Sequence, residues 1–76
     1  MWWLIEYMEY DPFKQEEEFE GGFNEREEHC ETWEKTLARF IELVKDGNVA
    51  QVLVTAYWGE KVYDPEDPYV LTYDAV

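Results

Sequence analysis

The chain opens with a stretch, Trp2 to Tyr10, in which aromatic and branched residues crowd together as they do in β-strands. Alternation places Trp3, Ile5 and Tyr7 on one face and Trp2, Leu4, Met8 and Tyr10 on the other, with Glu6 among the latter. Both faces carry aromatic rings. The strand is therefore either central and covered twice, or it leaves one aromatic face for a partner. Asp11-Pro12 ends it, because proline cannot donate to a strand ladder.

The pattern then loses its period. Residues 13–23 read as a loop, with Glu16, Glu17, Glu18 and Glu20 favouring a solvated backbone and Phe13, Phe19 and Phe23 pinning the loop to the body. From Glu25 to Asp46 the period becomes helical: Cys30, Trp33, Leu37, Phe40, Ile41 and Val44 recur at three- and four-residue steps. Asn24 is a favoured N-cap, and Glu27 three residues on completes a capping-box pattern. Gly47 suits the left-handed residue that closes a helix.

Val49 to Trp58 reads as a second strand, and Gly59-Glu60 as a two-residue turn returning the chain through Lys61–Tyr63. Asp64-Pro65-Glu66-Asp67-Pro68 is a rigid acidic loop, and Tyr69–Tyr73 can form a last short strand. The sum is an α+β fold in β-α-β-β order: one long amphipathic helix packed on a three- or four-stranded, mainly antiparallel sheet. Residues 1–76 are expected to form a single domain.

Size makes the aromatic content matter. A chain of 76 residues buries only roughly 60% of its unfolded surface, so its core is thin. Cys30 is the only cysteine, which rules out a disulfide within the chain. Four Trp, six Tyr and four Phe supply large buried areas from few positions instead.

Charge changes the picture most. The net charge is −13, and it is segregated: residues 1–34 carry −10, residues 35–61 carry +1, and residues 62–76 carry −4. A surface evolved only for solubility mixes the signs. The macrodipole of a helix explains acids in its first turn and bases in its last, but not Glu16–Glu20 or Asp64–Asp67.

Candidates for catalysis are few. His29 and Cys30 are single and adjacent; in a helix they point about 100° apart, so they do not form a nucleophile–base pair. Cys30 reads as a small hydrophobe on the apolar stripe, and His29 as a residue at the stripe's edge. Zinc needs more Cys and His than the chain has, and the Asp64–Asp67 loop lacks the EF-hand pattern. No metal site, cofactor or catalytic residue is expected, and the protein reads as a non-enzyme. Direct nucleic-acid binding is excluded by the sign of the charge.

No segment is long and apolar enough to span a membrane, anionic leaflets repel such a chain, and the start Met1-Trp2-Trp3-Leu4-Ile5-Glu6 lacks a basic leader. A cytoplasmic location is expected, that of the host if the protein is phage-encoded.

These properties converge on a protein that binds another protein. Carboxylates three and four residues apart on a helix lie about 5–6 Å from one another and approximate a row of phosphates. The expected partner has a basic, nucleic-acid-binding surface. The expected contact residues are Glu16, Glu17, Glu18, Glu20, Glu27, Glu28, Glu31 and Glu34, with Asp64, Glu66 and Asp67 as a second face and Trp58 as an aromatic anchor. In size, acidity and lack of chemistry the chain resembles the small inhibitors that phages encode against restriction or CRISPR nucleases, or against host polymerase. The alternative is an assembly module, a homodimer through an aromatic sheet face, or an immunity protein for a basic toxin.

Overall fold

The computed structural model describes residues 1–11 and 22–75. Five strands and one helix follow in the order β1 (Trp2–Tyr10), β2 (Phe23–Cys30), α1 (Trp33–Lys45), β3 (Val49–Trp58), β4 (Lys61–Val62) and β5 (Tyr69–Asp74). All strand pairs are antiparallel, in the order β2-β1-β3, with β4 and β5 both on the far side of β3. The fold is α+β, as the sequence indicates. Two strands, β1 and β3, fall where alternation predicts them.

The helix does not. It spans 13 residues, about 20 Å, and begins at Trp33 rather than Glu25. Residues 23–30 are instead an edge strand, giving the order β-β-α-β-β-β. The physical reason lies in β1. With aromatic rings on both faces it is the central strand, and its second edge needs a ladder partner that β2 supplies from Tyr10↔Phe23 to Trp3↔Cys30. As a helix, the same segment would stack Glu27 against Glu31 four residues on.

The cap shifts accordingly. Thr32, not Asn24, caps α1: its hydroxyl accepts from the Lys35 N–H at 3.2 Å. At the other end, Gly47 is not left-handed. Asp46 ends the helix in an extended conformation (φ −80°, ψ 115°), and its carboxylate accepts from the Asn48 N–H at 2.9 Å. Among the described residues only Gly22 and Gly59 have positive φ. At Gly59 (φ 63°) the β3–β4 turn requires it, as the glycine-first turn predicts. The carbonyl of Gly59 also accepts from the Trp2 indole N–H at 2.7 Å.

The core lies between α1 and one face of the sheet. Ile5, Tyr7, Leu43, Val49, Val52 and Val54 are buried, with Trp3, Cys30, Phe40, Leu71 and Tyr73 packed against them. Leu37 and Ile41 sit at the flank of α1 and stay exposed, so the stripe read from sequence is only partly inward.

Ile5 is fully buried at the centre of this cluster. Ile5→Ala should therefore cost about 2–5 kcal/mol, measured as a drop in the urea midpoint at constant slope. A loss below about 0.5 kcal/mol, the range of a surface site, would show that the core lies elsewhere.

Candidate partner-binding face

Strand alternation sorts the charges of β1 and β2 onto two faces. Ile5, Tyr7 and, across from them, Glu28 and Arg26 point toward α1. The reverse face carries Leu4, Glu6 and Met8 of β1, Glu25, Glu27 and His29 of β2, and Gln51, Leu53 and Tyr57 of β3. Among the described residues no helix packs on this reverse face, and no Lys or Arg belongs to it by register.

On the covered face, Glu28 is fully engaged. Arg39 of α1 grips it with two parallel bonds, Nε to Oε1 and Nη2 to Oε2, both 2.9 Å, and the Tyr7 hydroxyl donates to Oε2 at 2.8 Å. The bonds from Arg39 hold the Glu28 carboxyl below the usual carboxylate range, against the opposing effect of burial. The same pairing pushes the Arg39 guanidinium further up. Burial, and then the adjacent Glu28, raise the Tyr7 phenol above its ordinary value of 10.0.

The uncovered face is different. Glu6 lies directly opposite Glu27 across the ladder, and Glu25 sits two residues further along. Directly opposite residues have Cβ atoms about 4.5–5.5 Å apart, and like charges so placed are destabilising. These three glutamates border a shallow concavity of about 440 Å³, whose lining also includes Arg26, Tyr7, Met8, Gln51 and Leu53. At one end of the face Trp2 stacks on Tyr57 at 4.3 Å, with His29 edge-on to Trp2 at 4.3 Å.

The expected contact residues therefore do not form one row on a helix. Glu27 and Glu28 point to opposite faces, and Glu28 is held by Arg39. Glu31 lies in the turn before α1 and Glu34 in its first turn, where the helix dipole favours an acid. Asp64 accepts from the N–H groups of Glu66 (3.1 Å) and Asp67 (3.4 Å), so it shapes the loop before β5. Trp58 is 65% exposed, but belongs to the α1 side of β3. Glu16, Glu17, Glu18 and Glu20 lie outside the described residues.

Sequence reasoning missed Glu25, Met8, Gln51 and Leu53, and left Glu6 unused. The signal was there: alternation already puts Glu6 on the Met8 face, and reading residues 23–30 with period two pairs Glu25 with Glu27. His29 and Cys30 also separate, onto opposite faces of β2. Cys30 is half-buried opposite Trp3, and His29 is exposed.

Among the described residues no group of three His, Cys, Asp or Glu is placed to hold a metal ion, and no helix is long and apolar enough to cross a membrane. No protein family, curated protein or solved structure matches the chain.

Two measurements separate the roles of these acids. Glu28 has a depressed folded pKa, so its contribution is complete above the unfolded carboxyl range and is lost as pH falls through the folded value. Glu28→Gln should cost about 1 kcal/mol at pH 7, since the pair is about one-third exposed, and the gap to wild type should close on acidification below about pH 4. Glu27→Gln should instead stabilise by about 0.2–1 kcal/mol, most at low salt, by removing the like charge opposite Glu6. Denaturant midpoints across pH and salt read both.

Proposed function

We propose that this protein is a non-catalytic, acidic inhibitor that occupies the basic surface of a nucleic-acid-binding protein, and that it does so with the uncovered sheet face. The observation that carries the reading is the Glu6–Glu27 pair with Glu25 beside it. A sheet face that keeps like charges in register, with Arg26 alone at the rim of the concavity they line, sacrifices stability, and binding a cationic surface is what such a sacrifice serves.

Physical chemistry supports the same direction. A net charge of −13 attracts a basic groove at long range and raises the association rate, an effect that salt screens. Charge supplies speed and specificity, while affinity comes from buried anchors. Leu53, Met8, Trp2 and Tyr57 provide those anchors on the same face. The carboxylates of Glu25 and Glu27, two residues apart on one strand, are spaced at roughly 6.8 Å. A row of this kind presents to a basic groove what a phosphate backbone presents.

A second reading, assembly through exposed aromatic and aliphatic residues, is favoured by Trp58, Trp33, Leu37 and Ile41 on the α1 side. The two differ in their response to salt.

The test is capture from a nuclease-treated bacterial lysate, eluted in salt steps, with wild type and the triple variant E6Q/E25Q/E27Q as baits. The expected result is a nucleic-acid-binding protein that leaves at moderate salt, is displaced by added DNA and is absent from the triple-variant eluate. Equal retention by the variant would exclude this face. Partners that persist through high salt and vanish with Trp58→Ala would favour assembly instead.

A further inference from the structure

The two faces of the sheet are built on one plan, and among the described residues a helix covers only one of them. On the covered face α1 lays Phe40 and Leu43 over the apolar residues of β1 and β3, among them Ile5, Val52 and Val54. At its β2 flank α1 extends one cation, Arg39, which clamps Glu28 with bonds of 2.9 Å. On the uncovered face the same two ingredients lie side by side. Leu4 and Met8 of β1 and Leu53 of β3 form an apolar patch around Glu6, which lies between Leu4 and Met8 and opposite Leu53, and Glu25 and Glu27 line its β2 flank.

We infer that this face takes an amphipathic α-helix of the partner, with an apolar stripe laid on Leu4, Met8 and Leu53 and an arginine-bearing flank turned to Glu25 and Glu27. The inference rests on the proposed function and names the element of the partner that this protein recognises. Docking such a helix converts the two-layer fold into a helix–sheet–helix sandwich, in which both faces of the sheet are shielded.

Dimensions agree. The nine residues of β1 extend roughly 30 Å, the length of a helix of about 20 residues. The concavity of about 440 Å³ lined by Glu6, Glu25, Glu27, Arg26 and Leu53 holds three carboxylates to one guanidinium, which leaves a place for one long cationic side chain of the partner, its aliphatic stem on Leu53 and Met8 and its head among the carboxylates. Arginine fits better than lysine there, because its planar fork binds carboxylates with two parallel bonds, as Arg39 already does.

Charge also decides against the other occupants. A second copy laid face to face would bring two sets of Glu6, Glu25 and Glu27 together, six carboxylates against two Arg26 guanidinium groups. Nucleic acid would add phosphates to the same carboxylates.

The experiment compares two synthetic peptides of about 18 residues and identical Leu/Arg composition, titrated into the full chain by calorimetry. One repeats Leu at i, i+3, i+4 and i+7 with Arg along one flank, and the other is its scrambled isomer. The expected result is binding of the amphipathic peptide at least about tenfold tighter than the scramble, with helicity gained on binding. That preference should fall about tenfold in Leu53→Gln and in Glu25→Gln/Glu27→Gln, and should be unchanged in Ile41→Gln on the opposite side of the molecule.

Equal affinity of the two peptides would overturn the inference while leaving the acidic-inhibitor reading intact, since charge alone would then suffice. A preference untouched by the Leu53 and Glu25/Glu27 variants would overturn it by placing the contact elsewhere. Binding of neither peptide would overturn it too, and the salt-stepped capture described above judges the underlying reading on its own. Cooperative unfolding of each variant confirms that a lost signal is not a lost fold.

Discussion

Among the described residues one helix, of 13 residues, shields the sheet, which at its widest is four strands across. The helix is about 10 Å wide and the sheet roughly 19 Å, so one face is half covered and on the other no described helix packs. Everything else in the molecule follows from that shortage. The apolar residues collect on β1 and β3, beneath α1, and the edges are left to residues that tolerate water. β1 and β3 are the two interior strands, and β1, with aromatic rings on both faces, gains from neighbours on both sides. Arg39 and Glu28 then fix where the helix lies, by tying its flank to β2.

The same shortage separates two kinds of acid. Glu28 contributes to the fold: its charge is matched, its lone pairs are used, and its proton is held off by the guanidinium beside it. Glu6, Glu25 and Glu27 share a face in register with one another, an arrangement that like-charge repulsion disfavours. Neighbours in sequence thus belong to opposite categories. Glu27 and Glu28 differ by one position, and a strand turns that one position into a change of side. A functional account based on the total charge treats the two alike, whereas one based on register does not.

This is also where the sequence was readable and where it was not. The strands β1 and β3 were legible because their apolar residues need no help from context: branched and aromatic side chains suit a pleated, half-buried surface wherever it forms. The turn at Gly59 was legible because its backbone conformation is local. Residues 23–30 were not. Phe23-Asn24-Glu25-Arg26-Glu27-Glu28-His29-Cys30 is too charged to look like a strand, and it holds a helix cap with a glutamate three residues on. Nothing within the segment outweighs that local signal. The deciding term is the open edge of β1, which lies elsewhere in the chain and rewards any segment able to complete its ladder. Read as helical, the segment sorts its glutamates with a period of 3.6 instead of two, which puts Glu27 and Glu28 in one row where the strand sends them to opposite faces.

The bond from the Trp2 indole to the Gly59 carbonyl joins groups 57 residues apart in sequence. A ribosome releases the early residues long before the late ones, so β1 emerges with only β2 to pair with. A two-stranded ribbon of that kind is marginal in water, and its apolar face stays wet until α1 and β3 arrive. Folding is therefore deferred rather than progressive: distant segments must meet before any part is secure, which slows the reaction relative to a helical protein of equal size. During that wait Trp2, Trp3 and Ile5 are exposed together on a nascent chain, and the dense negative charge around them is what keeps neighbouring copies apart.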